Sequence, residues 1–178
     1  MKHTFQIYFI FLFCLFVFLS SCKKDIEGCT DNTAMNYDVE ANLDNGSCIY
    51  FYDIAQGLWD ISPDCEEYTI PIIGTTISLN DQLPESIDVQ GGGNNMLYID
   101  INGTQVNGSI DSQGNLTVPS QTIQIDMGFG PMDIDVEGSG VIESDISGNL
   151  DLTYDFEIET IPGFPIEESL DCAISLSK

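Results

Sequence analysis

From Met132 onward the chain alternates between apolar and polar side chains. Met132, Ile134, Val136, Gly138, Gly140 and Ile142 share one parity, and Asp133, Asp135, Glu137 and Ser139 the other. Leu150, Leu152, Tyr154, Phe156 and Ile158 repeat the pattern against Asp151, Thr153, Asp155, Glu157 and Glu159. A period of two belongs to a strand with one buried and one wet face. Leu170, Cys172, Ile174 and Leu176 close the chain in the same way, so Cys172 points inward. Upstream, Leu97, Ile99 and Ile101 lead into Asn102-Gly103, Val106 and Ile110 into a turn cluster from Asp111 to Asn115, and Leu116 and Val118 follow. Ser147-Gly148-Asn149 reads as a further turn. No helical period follows residue 50. The expectation is an all-β fold, an antiparallel barrel or sandwich of about eight strands, since a single sheet cannot bury both its apolar stripes and Trp59.

Charge narrows the function. There are 29 acidic residues, and no basic side chain between Asp25 and Ser177. Binding nucleic acid requires Lys or Arg to displace phosphate counterions, so that partner class is excluded. The one histidine, His3, lies within a leader expected to be cleaved, which removes Ser-His-Asp and Cys-His catalysis. The chain is expected not to be an enzyme. Asp133, Asp135, Glu137, Asp151, Asp155, Glu157 and Glu159 form an acidic outer face on one hairpin. A carboxylate pair held about 5 to 9 Å apart hydrolyses glycosides when one member is kept protonated; a flat solvated face needs nothing more than the alternation itself. Gly91-Gly92-Gly93-Asn94-Asn95 lacks the lysine and following helix of a phosphate cradle and reads as a flexible loop.

The start of the chain carries an address. Lys2 and His3 precede an uncharged apolar run from Ile7 to Leu19, the length of a secretory signal and short of a spanning helix. Leu19-Ser20-Ser21-Cys22 resembles the lipobox of bacterial lipoproteins. The resemblance implies a signal peptide over 1–21, acylation of Cys22 as the first mature residue, and a tether over 22–27. Several acyl chains hold a protein on a membrane where one binds only marginally. Lys23-Lys24-Asp25-Ile26-Glu27 is similar to the sorting signals of surface lipoproteins of the Bacteroidota, which implies an outer-membrane address facing the exterior.

With Cys14 lost in the leader and Cys22 acylated, Cys29, Cys48, Cys65 and Cys172 remain, and four cysteines permit three pairings. Cys29 and Cys48 bracket one compact segment, which leaves Cys65 for Cys172. The absence of Cys-x-x-Cys spacing and of a mature histidine speaks against zinc.

Residues 28–50 form a first module. Asp38, Glu40, Asn42 and Asp44 fall at every second position, so an extended backbone would aim their oxygens to one side, as a calcium site requires. Gly46 is out of phase with an EF-hand loop, and the other reading is a disulfide-closed spacer whose Asp and Asn cap turns. Calcium and spacer both stand. The segment from Cys29-Thr30-Asp31 to Asp44-Asn45-Gly46-Ser47-Cys48 resembles a repeat of secreted and surface proteins of marine bacteria, a resemblance that implies no reaction.

Residues 52–178 form the β domain. Gly57-Leu58-Trp59 resembles the opening of lipocalin-like barrels, although the late Arg that lipocalins generally carry has no counterpart. Val118-Pro119-Ser120-Gln121-Thr122, Gly138-Ser139-Gly140, Gly148 to Tyr154 and Asp171-Cys172 resemble a lipoprotein domain of the Bacteroidota. The implied function is a surface-anchored, non-enzymatic binding or interaction module, or a carrier of a small apolar ligand. Its partners are then the membrane and an extracellular protein or small ligand. Phe129 and Phe164 lie among turn formers in two loops expected at one rim, where they either grip a ligand or plug the barrel end.

Overall fold

The computed structural model describes residues 24–70, 74–101, 103–126, 130–161 and 163–178. The leader, Cys22 and Phe129 lie outside the described residues. Two short strands, β1 (Glu27–Gly28) and β2 (Leu43–Asp44), pair in parallel in the first module, which the Cys29–Cys48 disulfide closes. A single turn of helix, α1 (Phe51–Ala55), follows. It corrects the expectation of no helix after residue 50: five residues are too few to display a period.

The rest is a closed antiparallel barrel of eight strands: β3 (Gly57–Cys65), β6 (Ser86–Gly93), β7 (Met96–Ile101), β8 (Thr104–Ile110), β9 (Asn115–Asp126), β10 (Pro131–Ile142), β11 (Ser147–Ile161) and β12 (Phe164–Ser177). Each strand pairs with the next, and β12 returns to β3. The hairpin of β4 (Glu67–Thr69) and β5 (Thr76–Ser78) interrupts the series between β3 and β6. The Cys65–Cys172 disulfide is a rung of the β3–β12 seam that closes the barrel.

The alternation sorts the faces as the sequence requires. Ile134, Val136 and Ile142 of β10, Leu152, Tyr154 and Phe156 of β11, and Leu170, Cys172, Ile174 and Leu176 of β12 are buried with Trp59. Each such side chain contributes roughly 1.5–3 kcal/mol when fully removed from water. Gly138 and Gly140 interrupt the inward row of β10, because a Cβ at either would run into the Asp151 or Asn149 carbonyl of β11.

Two turns sit elsewhere than expected. Ser147 and Gly148 already belong to β11, opposite Ser177 and Leu176, and the turn falls at residues 143–146. Gly91–Gly93 is not a loop but the end of β6, and Asn94 and Asn95, with φ of 51° and 62°, make the hairpin turn instead. Asn tolerates that left-handed region. A side chain at Gly91 would collide with the hydroxyl of Tyr52, which accepts a 2.9 Å hydrogen bond from Gly93 N.

The barrel has two distinct ends. At one, α1 packs beside the turns at 94–95 and 111–114, with Tyr52 on Gly93 and Phe51 against Gly114. The β7–β8, β9–β10 and β11–β12 connections and the 66–85 insertion lie at the other. The insertion buries Ile70, Ile77 and Leu79 in the core, and Tyr68 meets Phe156 edge-on at 6.5 Å.

Candidate functional site

The inward rows do not fill the barrel. They leave a cavity of about 110 Å³, bordered by Trp59 of β3, Leu97 and Ile99 of β7, Val106 of β8, Ile123 and Ile125 of β9, Val136 of β10 and Leu152 and Tyr154 of β11. Leu83 of the insertion borders it too. Its floor is α1 and Trp59, whose Nε1 donates to Ala55 O at 2.8 Å. Lys178, the final residue, locks that floor. Its Nζ donates to Ile54 O at 2.7 Å and Gln56 O at 2.8 Å and stands 4.3 Å from the centre of the Trp59 ring. Two carbonyls left open by the end of α1 are thereby met by a cation. Burial draws the Lys178 ammonium below its ordinary value, against an upward pull from Asp145.

Tyr154 is the exception in this lining. It is 3% exposed and borders the cavity, yet no protein group among the described residues hydrogen-bonds its hydroxyl. Burial alone pushes the phenol up to about 12. Of the other polar side chains at the cavity, Tyr98 Oη donates to Gln90 Oε1 at 2.9 Å, Asn107 Oδ1 accepts from Gln105 Nε2 at 3.1 Å, and Thr117 is exposed.

The wall is uneven around this cavity. β7 and β8 pair along their full lengths, from Met96↔Ser109 to Ile101↔Thr104. The β6–β7 ladder reaches only Gln90↔Tyr98, and β8–β9 has only Ser109↔Thr117 and Ile110↔Leu116. Extending the latter register places Pro119 opposite Asn107, and proline has no N–H for the rung. The Gln121 side chain supplies it: Nε2 donates to Asn107 O at 2.8 Å and Oε1 accepts from Asn107 N at 2.9 Å. A register shift against Val136/Gly138 bends β9 at the same point. The tip of the β7–β8 hairpin, which carries Ile99, Ile101 and Val106 at the cavity, is therefore paired within itself and with neither neighbour.

Phe164, the first residue of β12, is 71% exposed at the end opposite α1; it fills no space in the core. The acidic outer face is a shallow solvent-open depression of about 720 Å³ and not the flat face expected, bordered by Asp133, Asp135, Asp155, Glu157, Glu167 and Glu168. Asp135 lies directly opposite Asp155. Thr122 Oγ1 donates to Asp135 Oδ1 at 2.5 Å, and Gln124 Nε2 to Asp133 Oδ1 at 2.8 Å. A hydrogen bond to Glu168 raises the phenol of Tyr68 above its usual value.

In the first module the four candidate calcium ligands do not lie along one extended strand. Residues 39 and 40 turn the chain, and only Leu43–Asp44 is in a strand. Asp38 Oδ1 accepts from Glu40 N at 2.9 Å, Asn42 Oδ1 from Ile26 N at 3.0 Å and Asp44 Oδ1 from Gly46 N at 3.0 Å. Asp31 takes Thr33 N, Thr33 Oγ1 and Tyr50 Oη; the Thr33 amide is the largest influence holding this carboxyl below its usual value. Among the described residues, no three His, Cys, Asp or Glu side chains converge in a geometry that holds a metal ion.

No protein-family model matches this chain, and no curated protein or solved structure matches it either.

Sequence reasoning missed Tyr154 as a site residue. Its parity marks it as inward, but whether its hydroxyl meets a partner depends on strands distant in sequence. Gln121 had a signal in the sequence: a proline two residues earlier, inside an apolar alternation, announces a broken rung.

Proposed function

We propose that this chain is a lipid-anchored, non-catalytic binding protein of the bacterial outer membrane, facing the exterior, with the barrel interior as its ligand site. The supporting observation is the apolar cavity kept open between inward rows that elsewhere pack tightly. Native interiors seldom retain voids larger than a water molecule, so a space this size at the centre of a barrel is a candidate site. The lipobox at Cys22 supports the anchor, and the two disulfides suit an oxidising compartment. The consecutive order of eight strands beginning at Gly57-Leu58-Trp59 is similar to that of lipocalin-like carriers. The size argues for a small ligand: a cavity of 150 Å³ takes benzene, whereas drug-sized ligands need roughly 300 Å³ or more.

The ligand site is tested by titrating the purified full-length chain with benzene and following the methyl resonances of Leu97, Val136 and Leu152. Saturable shifts confined to the lining are expected, and unchanged spectra at millimolar benzene overturn the reading. Mass spectrometry of the membrane fraction tests the anchor, with an acylated N-terminal peptide starting at Cys22 as the expected product.

A further inference from the structure

The cavity's lining specifies the polarity of what it holds. We infer that the barrel takes a neutral, benzene-sized molecule carrying one hydrogen-bond acceptor, which the Tyr154 hydroxyl engages, and that it rejects carboxylates. This rests on the barrel interior being the ligand site.

Three observations carry it. Tyr154 is 3% exposed and borders the cavity without a hydrogen-bond partner from the protein, and it is not sealed off as a buried unsatisfied atom. A wholly apolar occupant would seal this reachable hydroxyl and leave it unpaired, which costs free energy, so an acceptor placed against it is favoured. A phenol is protonated at neutral pH and donates one proton, and desolvation in the apolar pocket raises its pKa further. Tyr98 and Asn107, the other polar side chains at the wall, already have partners, and Thr117 faces solvent. One acceptor is therefore matched and a second is not.

Charge supplies the exclusion. Among the described residues no Lys, Arg or His borders the cavity, and the chain after Cys14 has 29 carboxylates against three lysines. An anionic head group meets neither a counter-ion inside nor a favourable field outside. A fatty acid or other carboxylate is for that reason the wrong ligand even where its tail fits.

Cyclopentanone, benzene and butyrate have equal numbers of non-hydrogen atoms and separate the possibilities when titrated by NMR into the full-length chain and its Tyr154→Phe variant. The wild type is expected to bind cyclopentanone and benzene but not butyrate. Tyr154→Phe is expected to weaken cyclopentanone about fivefold, the worth of one net hydrogen bond, while benzene stays within about twofold. Benzene binding to the variant also reports that it is folded. An unchanged cyclopentanone affinity in the variant, a parallel loss for benzene, or butyrate binding as tight as cyclopentanone overturns the inference while leaving the barrel site intact. If neither neutral probe binds the wild type, the barrel reading falls and the inference with it.

Discussion

Replacing Cys65 and Cys172 together by alanine removes the covalent rung of the β3–β12 seam. The two residues are separated by 107 positions, and the chain-entropy relation for a loop of that length gives about 4.8 kcal/mol of lost stability. Unfolding entropy of about 2.1 cal/mol/K per residue over a barrel of about 125 residues gives roughly 0.26 kcal/mol/K, so the barrel transition is expected to fall by about 18 °C. The Cys29–Cys48 pair closes a loop with a separation of 19, worth about 3.2 kcal/mol on the same relation, but all of its constraint lies within the first module. Differential scanning calorimetry of both double-alanine variants therefore discriminates by location as well as size. The barrel transition should collapse in the first and move by less than about 3 °C in the second. A drop under about 5 °C for Cys65→Ala/Cys172→Ala, or an equal drop for both pairs, refutes the argument that the long loop is held at the barrel seam.

Other outcomes follow from the packing and the charge. Gly138→Ala drives a methyl group into the Asp151 carbonyl and Leu152, and is expected to cost about 1–3 kcal/mol in chemical denaturation, as overpacking does. Raising ionic strength from 0.01 to 0.5 M shortens the screening length from about 30 Å to about 4 Å, and the melting temperature should rise by about 5 °C because Asp135 faces Asp155 across a rung with no basic residue nearby. An unchanged melting temperature counts against repulsion on this face. Gln121→Ala should speed amide exchange at Asn107 selectively and cost under about 1 kcal/mol, since water can replace an exposed amide. In the wild type, amides from Ile99 to Val106 should exchange faster than those of β11.

The architecture was legible where side-chain parity decides it. Residues 132–142, 150–159 and 170–176 became strands with the inward sets expected, and elimination among four cysteines gave both disulfides. The chain was less legible where conformation depends on a distant neighbour. Gly91–Gly93 looks like a loop because glycine usually marks one, but here the hydroxyl of Tyr52, some forty residues earlier, needs the room. Gly148 likewise looks like a turn former and is instead a ladder residue opposite Leu176. The β4–β5 insertion carries no alternation long enough to notice, although Ile70, Ile77 and Leu79 are among its best-buried residues. The cavity is a residue of packing, set by how rows from eight strands meet, and no single row announces it.

The clamp of Lys178 on the carbonyls of Ile54 and Gln56 brings the last residue of the chain to the entrance of its first barrel strand. Beginning and end of the barrel thus share one pole with the turns at 94–95 and 111–114, and the β7–β8, β9–β10 and β11–β12 tips occupy the opposite one. Removing the Lys178 side chain takes the ammonium from both carbonyls and from the Trp59 ring at once, whereas changes at the far pole leave the clamp in place.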